Sequence, residues 1–118
     1  MKLTKLRVTR DVSNRLRSLA GRTGLTPNLI CRLGFCLSVS EPSIPKPEDY
    51  PEEEREFNRY TLLGEYDDFF VALLKQRCHQ DGIDSSMLPD YFRAHINRGV
   101  VLLQTRLKNI GDLGALIS

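Results

Sequence analysis

The chain has 118 residues, 41% of them hydrophobic and 27% charged, with a formal charge of +2, the profile of one globular domain with a single core. No run of about 18 apolar residues occurs, which excludes a membrane-spanning helix, and Met1–Lys5 leads into charges rather than a signal-peptide segment, so cytoplasmic residence is expected. Three cysteines without a close CxxC pair fit a reducing compartment better than a disulfide framework.

The small net charge hides two opposed blocks. Met1 to Phe35 carries eight Lys/Arg against one acid, whereas residues 41–68 carry ten acids against three cations. Such asymmetry informs partners more than the total does. The expected organisation is a single domain, 1–118, made of a basic strand–helix–helix unit (1–39), an acidic proline-rich loop (40–55) and a helical remainder (56–118).

The chain opens on an alternating segment, Thr4–Thr9. Read as a short strand, it turns Leu6 and Val8 to one side and Lys5, Arg7 and Thr9 to the other. Read otherwise, it is a frayed basic tail. The first helix is expected from Asp11 to Arg22, capped by Thr9 or Asp11, with Val12, Leu16, Leu19 and Ala20 as its apolar stripe. Gly21 and Gly24 bracket its end, and either can supply a left-handed C-cap residue. The second helix starts at the N-cap Thr26, with Pro27 in its first turn. Its main buried stripe is expected at Leu29, Ile30, Leu33, Cys36 and Leu37, with Cys31 and Phe35 as a second. A helix apolar on most sides suits both a core and a subunit contact. Gly21, Gly24, Leu29, Leu33 and Phe35 are therefore assigned to an oligomer interface.

Pro42, Pro45, Pro47 and Pro51 forbid regular structure through Ser40–Arg55. Such an acidic run is ordinarily a solvated connector. Its functional alternatives are a DNA mimic, a docking strip for a basic partner, or an intramolecular cover for the basic unit. Residues 56–64 fit a helix through Phe57, Tyr60 and Leu63, while the run Tyr60–Leu63 also suits a short strand. Glu65–Gln80 reads as a helix with a core face of Phe69, Phe70, Leu73 and Leu74, Tyr66 one turn earlier and Gly82 at its end. The last helix is expected from Pro89 to Lys108, where Gly99 marks a close helix crossing; Gly111 and Gly114 loosen the tail. The fold class is mainly α: a compact helical domain with a short N-terminal strand.

No pattern for catalysis emerges. His79 and His95 lack a second ligand at zinc spacing, and Cys31 and Cys36 make no ready metal pair. Cys78 and His79 are adjacent and diverge on a helix. Asp67-Asp68 reads as an acidic first turn, and no phosphate loop, dinucleotide fingerprint or nucleophile elbow is present. No enzymatic activity, metal or cofactor is expected. The basic unit is the stronger signal. Lys5, Arg7, Arg10, Arg15, Arg17, Arg22 and Arg32 are the expected DNA-binding set, because Lys/Arg contacts to duplex phosphates release condensed counterions. Thr26 and Asn28 can aim the N–H groups of a helix start at a phosphate. If the strand pairs with its copy in a dimer, the Lys5/Arg7/Thr9 face enters a groove as a ribbon.

Two segments, RVTRDVSNRLRSLAGRTGLTPNLICRLGFCLSVSEP (Arg7–Pro42) and EFNRYTLLGEYDDFFVALLKQR (Glu56–Arg77), resemble the DndE family of small proteins from bacterial DNA phosphorothioation systems. In those systems sulfur replaces a non-bridging phosphate oxygen, and a separate desulfurase, an iron–sulfur protein and an ATPase-like protein supply the chemistry. The resemblance implies a non-enzymatic accessory subunit, homotetrameric, that binds duplex DNA with a preference for nicked duplex and works beside the other modification proteins. It implies that the basic residues above form the DNA surface, and it brings no catalytic residue. The element order also resembles ribbon-helix-helix DNA binders. Two alternatives stand: a sulfur carrier using Cys31, Cys36 or Cys78 as a persulfide, and a protein-only scaffold using the acidic strip 41–68.

Overall fold

Thr4–Thr9 does contain a strand, and its partner comes from the same chain. In the computed structural model, which describes residues 1–107, β1 (Lys5–Arg7) pairs antiparallel with β2 (Glu56–Asn58). The register sets Lys5 against Asn58, Leu6 against Phe57 and Arg7 against Glu56. Leu6 and Phe57 face each other on the inner side and are buried, while Lys5 and Arg7 face solvent, as alternation requires. One ladder edge of β1 is thus taken by β2 of the same chain, so a ribbon of two β1 copies would have to form along its other edge. Thr9 does not share the outer face. It is buried, and its hydroxyl caps the next helix.

That helix, α1 (Arg10–Thr23), has Thr9 as its N-cap, with Oγ1 accepting the Val12 N–H at 3.0 Å. Val12, Leu16 and Leu19 are buried as expected. Gly24, at φ 76°, closes the helix and donates its N–H to Ala20 O. Gly21 lies inside the helix with open space beside it, so only Gly24 needs the left-handed region. In α2 (Pro27–Ser40) the buried stripe is rotated from the expected one. Ile30, Cys31, Gly34, Phe35 and Ser38 face the core, Leu33, Cys36 and Leu37 are half-buried, and Leu29 is exposed.

The chain then runs through the proline loop, with one 3-10 turn at Pro47–Asp49, into β2. The strand of residues 56–64 falls on Glu56–Asn58, with Phe57 in it, rather than on Tyr60–Leu63, which forms the short helix α3 (Arg59–Leu63), capped by Asn58. A 3-10 turn at Gly64–Tyr66 precedes α4 (Asp67–Gln80). Its core face is Phe70, Val71, Leu74, Arg77 and Cys78. Phe69 and Tyr66, expected on that face, point outward at 56% and 52% exposure. The long α5 (Leu88–Arg106) completes the described fold; Lys108, Gly111 and Gly114 lie outside the described residues.

The centre is the crossing of α2 and α5 at Gly34 and Gly99. A Cβ on Gly34 would lie 2.6 Å from the Gly99 carbonyl carbon, so backbone meets backbone there. Phe35 packs against Phe70, Phe92 and His95, with ring centroids 5.7–6.0 Å apart. Asn97 ties α5 to the basic unit by accepting the Thr9 N–H at 3.0 Å. Arg59 does the same for the first residues. It donates to Met1 O and Leu3 O and forms a two-bond ion pair with Asp67 at 2.8–2.9 Å.

His95 is fully buried, bonded through Nδ1 to Ser38 Oγ at 2.8 Å, and its Nε2 has no partner among the described residues. Burial first, then the Arg98 and Arg77 guanidinium groups, push its pKa down to about 3. The folded ring therefore stays neutral where an unfolded histidine takes a proton, so stability falls as pH drops below about 6.5. Denaturant titrations should show about 2 kcal/mol lost between pH 7.5 and pH 5. His95→Asn should remove most of that slope; an unchanged slope in the variant would refute the assignment.

Candidate nucleic-acid interface

The seven predicted cations fall into three different electrostatic states. On β1, Lys5 Nζ stands 4.0 Å from Glu56 Oε2, and Arg7 Nε stands 3.5 Å from Glu56 Oε1. Arg10, at the start of α1, pairs through Nε with Glu54 Oε1 at 3.1 Å, and its main-chain N–H donates to Glu53 Oε1 at 3.1 Å. These three are exposed but paired with carboxylates of β2 and of the loop that leads into it. Arg15 is half-buried between Asp11 (2.8 Å) and Gln104 (2.6 Å). Arg32 is turned inward, with Nε donating to Leu62 O at 2.6 Å and its guanidinium beneath Gly64.

The third state is held by Arg17 and Arg22. Both are exposed on α1, and neither has an acidic partner among the described residues; Arg17 touches only Asn14 Oδ1 at 3.2 Å. Arg17, Ser18, Gly21 and Arg22 all face solvent because the buried positions of this helix are Val12, Ser13, Leu16, Leu19 and Thr23. Gly21 leaves an open notch among them. Thr26, also exposed, marks the mouth of α2, where its Oγ1 accepts the Leu29 N–H.

Of the residues assigned to an oligomer interface, Phe35 is corrected outright: it is a fully buried core ring and presents nothing to a second chain. Gly21 and Gly24 are exposed. Leu29 and Leu33 line an apolar groove of about 250 Å³ with Arg32, Cys36, Tyr66, Phe69 and Phe70. The sequence pattern missed the α4 half of this groove, because it placed Phe69 with Phe70 on the core face, whereas the buried neighbour of Phe70 is Val71 and Phe69 turns outward.

All three thiols are held toward their protonated form. Burial pushes Cys31 up to about 12 and raises Cys36. Cys78 is pushed up to about 11 by burial and then by Asp81. It lines a separate cleft of about 450 Å³ with Lys75, His79, Ile83, Asp84, Ser85 and Leu88. Among the described residues no three His, Cys, Asp or Glu side chains gather at metal-binding distance, and no helix is long and apolar enough to cross a membrane.

The family profile described as "DNA sulphur modification protein DndE" matches residues 5–110. The chain belongs to the DndE family. It is accordingly a component of the DNA phosphorothioation system that this family serves. The crystal structure of DndE from Escherichia coli B7A, involved in DNA phosphorothioation modification, is 28% identical and superposes with a TM-score of 0.70, covering 87% of this chain and 99% of that one. A crystal structure of a DndE double mutant is 23% identical with a TM-score of 0.67, covering 87% and 98%, and shares the fold. Among curated protein sequences, none matches.

Proposed function

We propose that this DndE-family chain is a non-enzymatic, duplex-DNA-binding subunit of the phosphorothioation system, acting as a homo-oligomer beside the proteins that carry out the sulfur chemistry. The observation that carries the reading is the α1 surface, where Arg17 and Arg22 have no acidic partner among the described residues and flank the open notch at Gly21. Free guanidinium groups on a helix face are donors suited to duplex phosphates. The three raised thiols argue against the persulfide alternative, which needs an accessible, low-pKa sulfur. The groove at Leu29, Leu33, Tyr66 and Phe69 favours assembly with a second copy, since exposed aromatics flanking an apolar groove are a typical interface feature.

Fluorescence anisotropy with intact and nicked duplex tests the reading. Arg17→Glu/Arg22→Glu should weaken binding roughly tenfold or more at low salt and flatten the dependence of log K on log salt by about 2. The nicked duplex measures the preference that the family resemblance implies. Wild-type affinity that stays flat across salt, or a double variant that binds unchanged, would exclude phosphate contacts here. A monomer mass by light scattering would exclude the oligomer.

A further inference from the structure

Two carboxylates already occupy the cations of β1 and the start of α1, and a third takes a helix-start N–H. The Glu56 carboxylate lies between Lys5 and Arg7, Glu54 sits on the Arg10 guanidinium, and Glu53 accepts the Arg10 main-chain N–H at the positive end of α1. A guanidinium, an ammonium and a helix-start N–H are the donors that DNA-binding proteins aim at phosphate oxygens. The carboxylates therefore sit where phosphates would.

Their placement is not needed to hold the loop. The Val8 N–H donates to Arg55 O at 3.1 Å, and the Glu54 N–H donates to Val8 O at 3.0 Å. Phe57 is buried against the inner side, and Arg93 grips the Tyr50 carbonyl at 2.8 Å. Backbone pairing and burial thus fix this stretch, and exposed ion pairs of this kind add little to stability. The contrast with Arg17 and Arg22, which no acid among the described residues covers, separates the cations into a masked set and an open set.

We propose that Glu53, Glu54 and Glu56 form an internal phosphate mimic, an autoinhibitory strap that competes with the DNA backbone for Lys5, Arg7 and Arg10. The inference rests on the duplex-binding reading and adds that the chain carries a second phosphate-binding strip, closed by its own carboxylates. DNA engages Arg17 and Arg22 first and gains the masked strip only by displacing those side chains. Salt weakens the mask and the DNA contact together, so the masked cations contribute little to the salt dependence of the wild-type chain.

The test uses the full chain and a short duplex, titrated at several salt concentrations. Glu53→Gln/Glu54→Gln/Glu56→Gln should bind at least tenfold more tightly at low salt. Its log K against log salt should steepen by up to about 3, roughly 0.9 for each cation released. Glu48→Gln/Asp49→Asn removes two exposed acids of the same loop that pair with no cation among the described residues, and it should keep the wild-type slope. A thermal midpoint for the triple variant close to wild type shows that the strap has stayed in place. A slope unchanged in the triple variant, or equally steepened in the Glu48/Asp49 control, overturns the strap while leaving duplex binding intact. Absence of binding by wild type and triple variant alike overturns the duplex reading itself, and the strap with it.

Discussion

Gly99→Ala is expected to lower stability by about 3 kcal/mol, despite exchanging a poor helix former for the best one. On an open helix the change would gain about 1 kcal/mol, because alanine loses less backbone freedom on folding. At Gly99 the new methyl would fall inside the van der Waals radius of the Gly34 carbonyl. Its neighbour is main chain of another helix, which cannot rotate away as a side chain can. Relief requires α2 and α5 to separate, and separation loosens Phe35 from Phe92 and His95. A loss of this size should lower the thermal midpoint by roughly 10 °C. Gly21→Ala is the internal control: it lies in α1 with nothing within 4 Å and should raise the midpoint slightly. Calorimetry on the pair decides the matter. Gly99→Ala as stable as wild type would mean that the crossing has slack.

The Gly99 crossing was legible in the sequence because a glycine inside a helical pattern needs a reason. Its partner Gly34 was not, since the eye follows the large residues around it. That is also why the α2 stripe was misplaced. The face that approaches α5 closely must be small, so Gly34 and Ser38 sit there while Leu29 and Leu33 turn outward. The same limit hid Phe69. Periodicity says that a helix has an apolar side, but Phe69-Phe70 offers two choices and only the tertiary neighbours of α4 make one of them. β1 was legible through its alternation, yet β2 was not separable from α3, because a three-residue strand is defined by a partner about fifty residues away. The candidate site divides likewise. Its cations were legible as a local excess of charge. The state of each was not, because Glu53, Glu54 and Glu56 reach Arg10 and Arg7 from 43, 44 and 49 residues further along the chain.

Arg77→Met should be the most damaging of the single substitutions considered, at roughly 3–5 kcal/mol. Arg77 was unremarked in the sequence as one more cation near a helix end, yet its side chain is 7% exposed. It pairs with Asp81 at 2.8 Å and spreads its remaining donors over the carbonyls of Val39 (2.9 Å), Glu41, Pro42 (3.3 Å) and Ser43 (2.8 Å). Those carbonyls belong to the end of α2 and the first proline turn, where Pro42 and Pro45 leave few backbone donors to satisfy them. Methionine fills much of the volume but leaves Asp81 and the four carbonyls without this donor. Arg98 holds Ser38 O and Ser43 O from the other side, so the loop should loosen rather than detach. Hydrogen exchange should quicken at the Glu41 amide, which bonds to Ser38 O, before the core is affected. Arg77→Lys separates charge from shape. Lysine keeps the positive charge beside Asp81 but loses the planar fork that serves several carbonyls at once, so it should recover only part of the loss. A lysine variant as stable as wild type would show that the ion pair alone matters there, and that the fork into the proline loop contributes nothing.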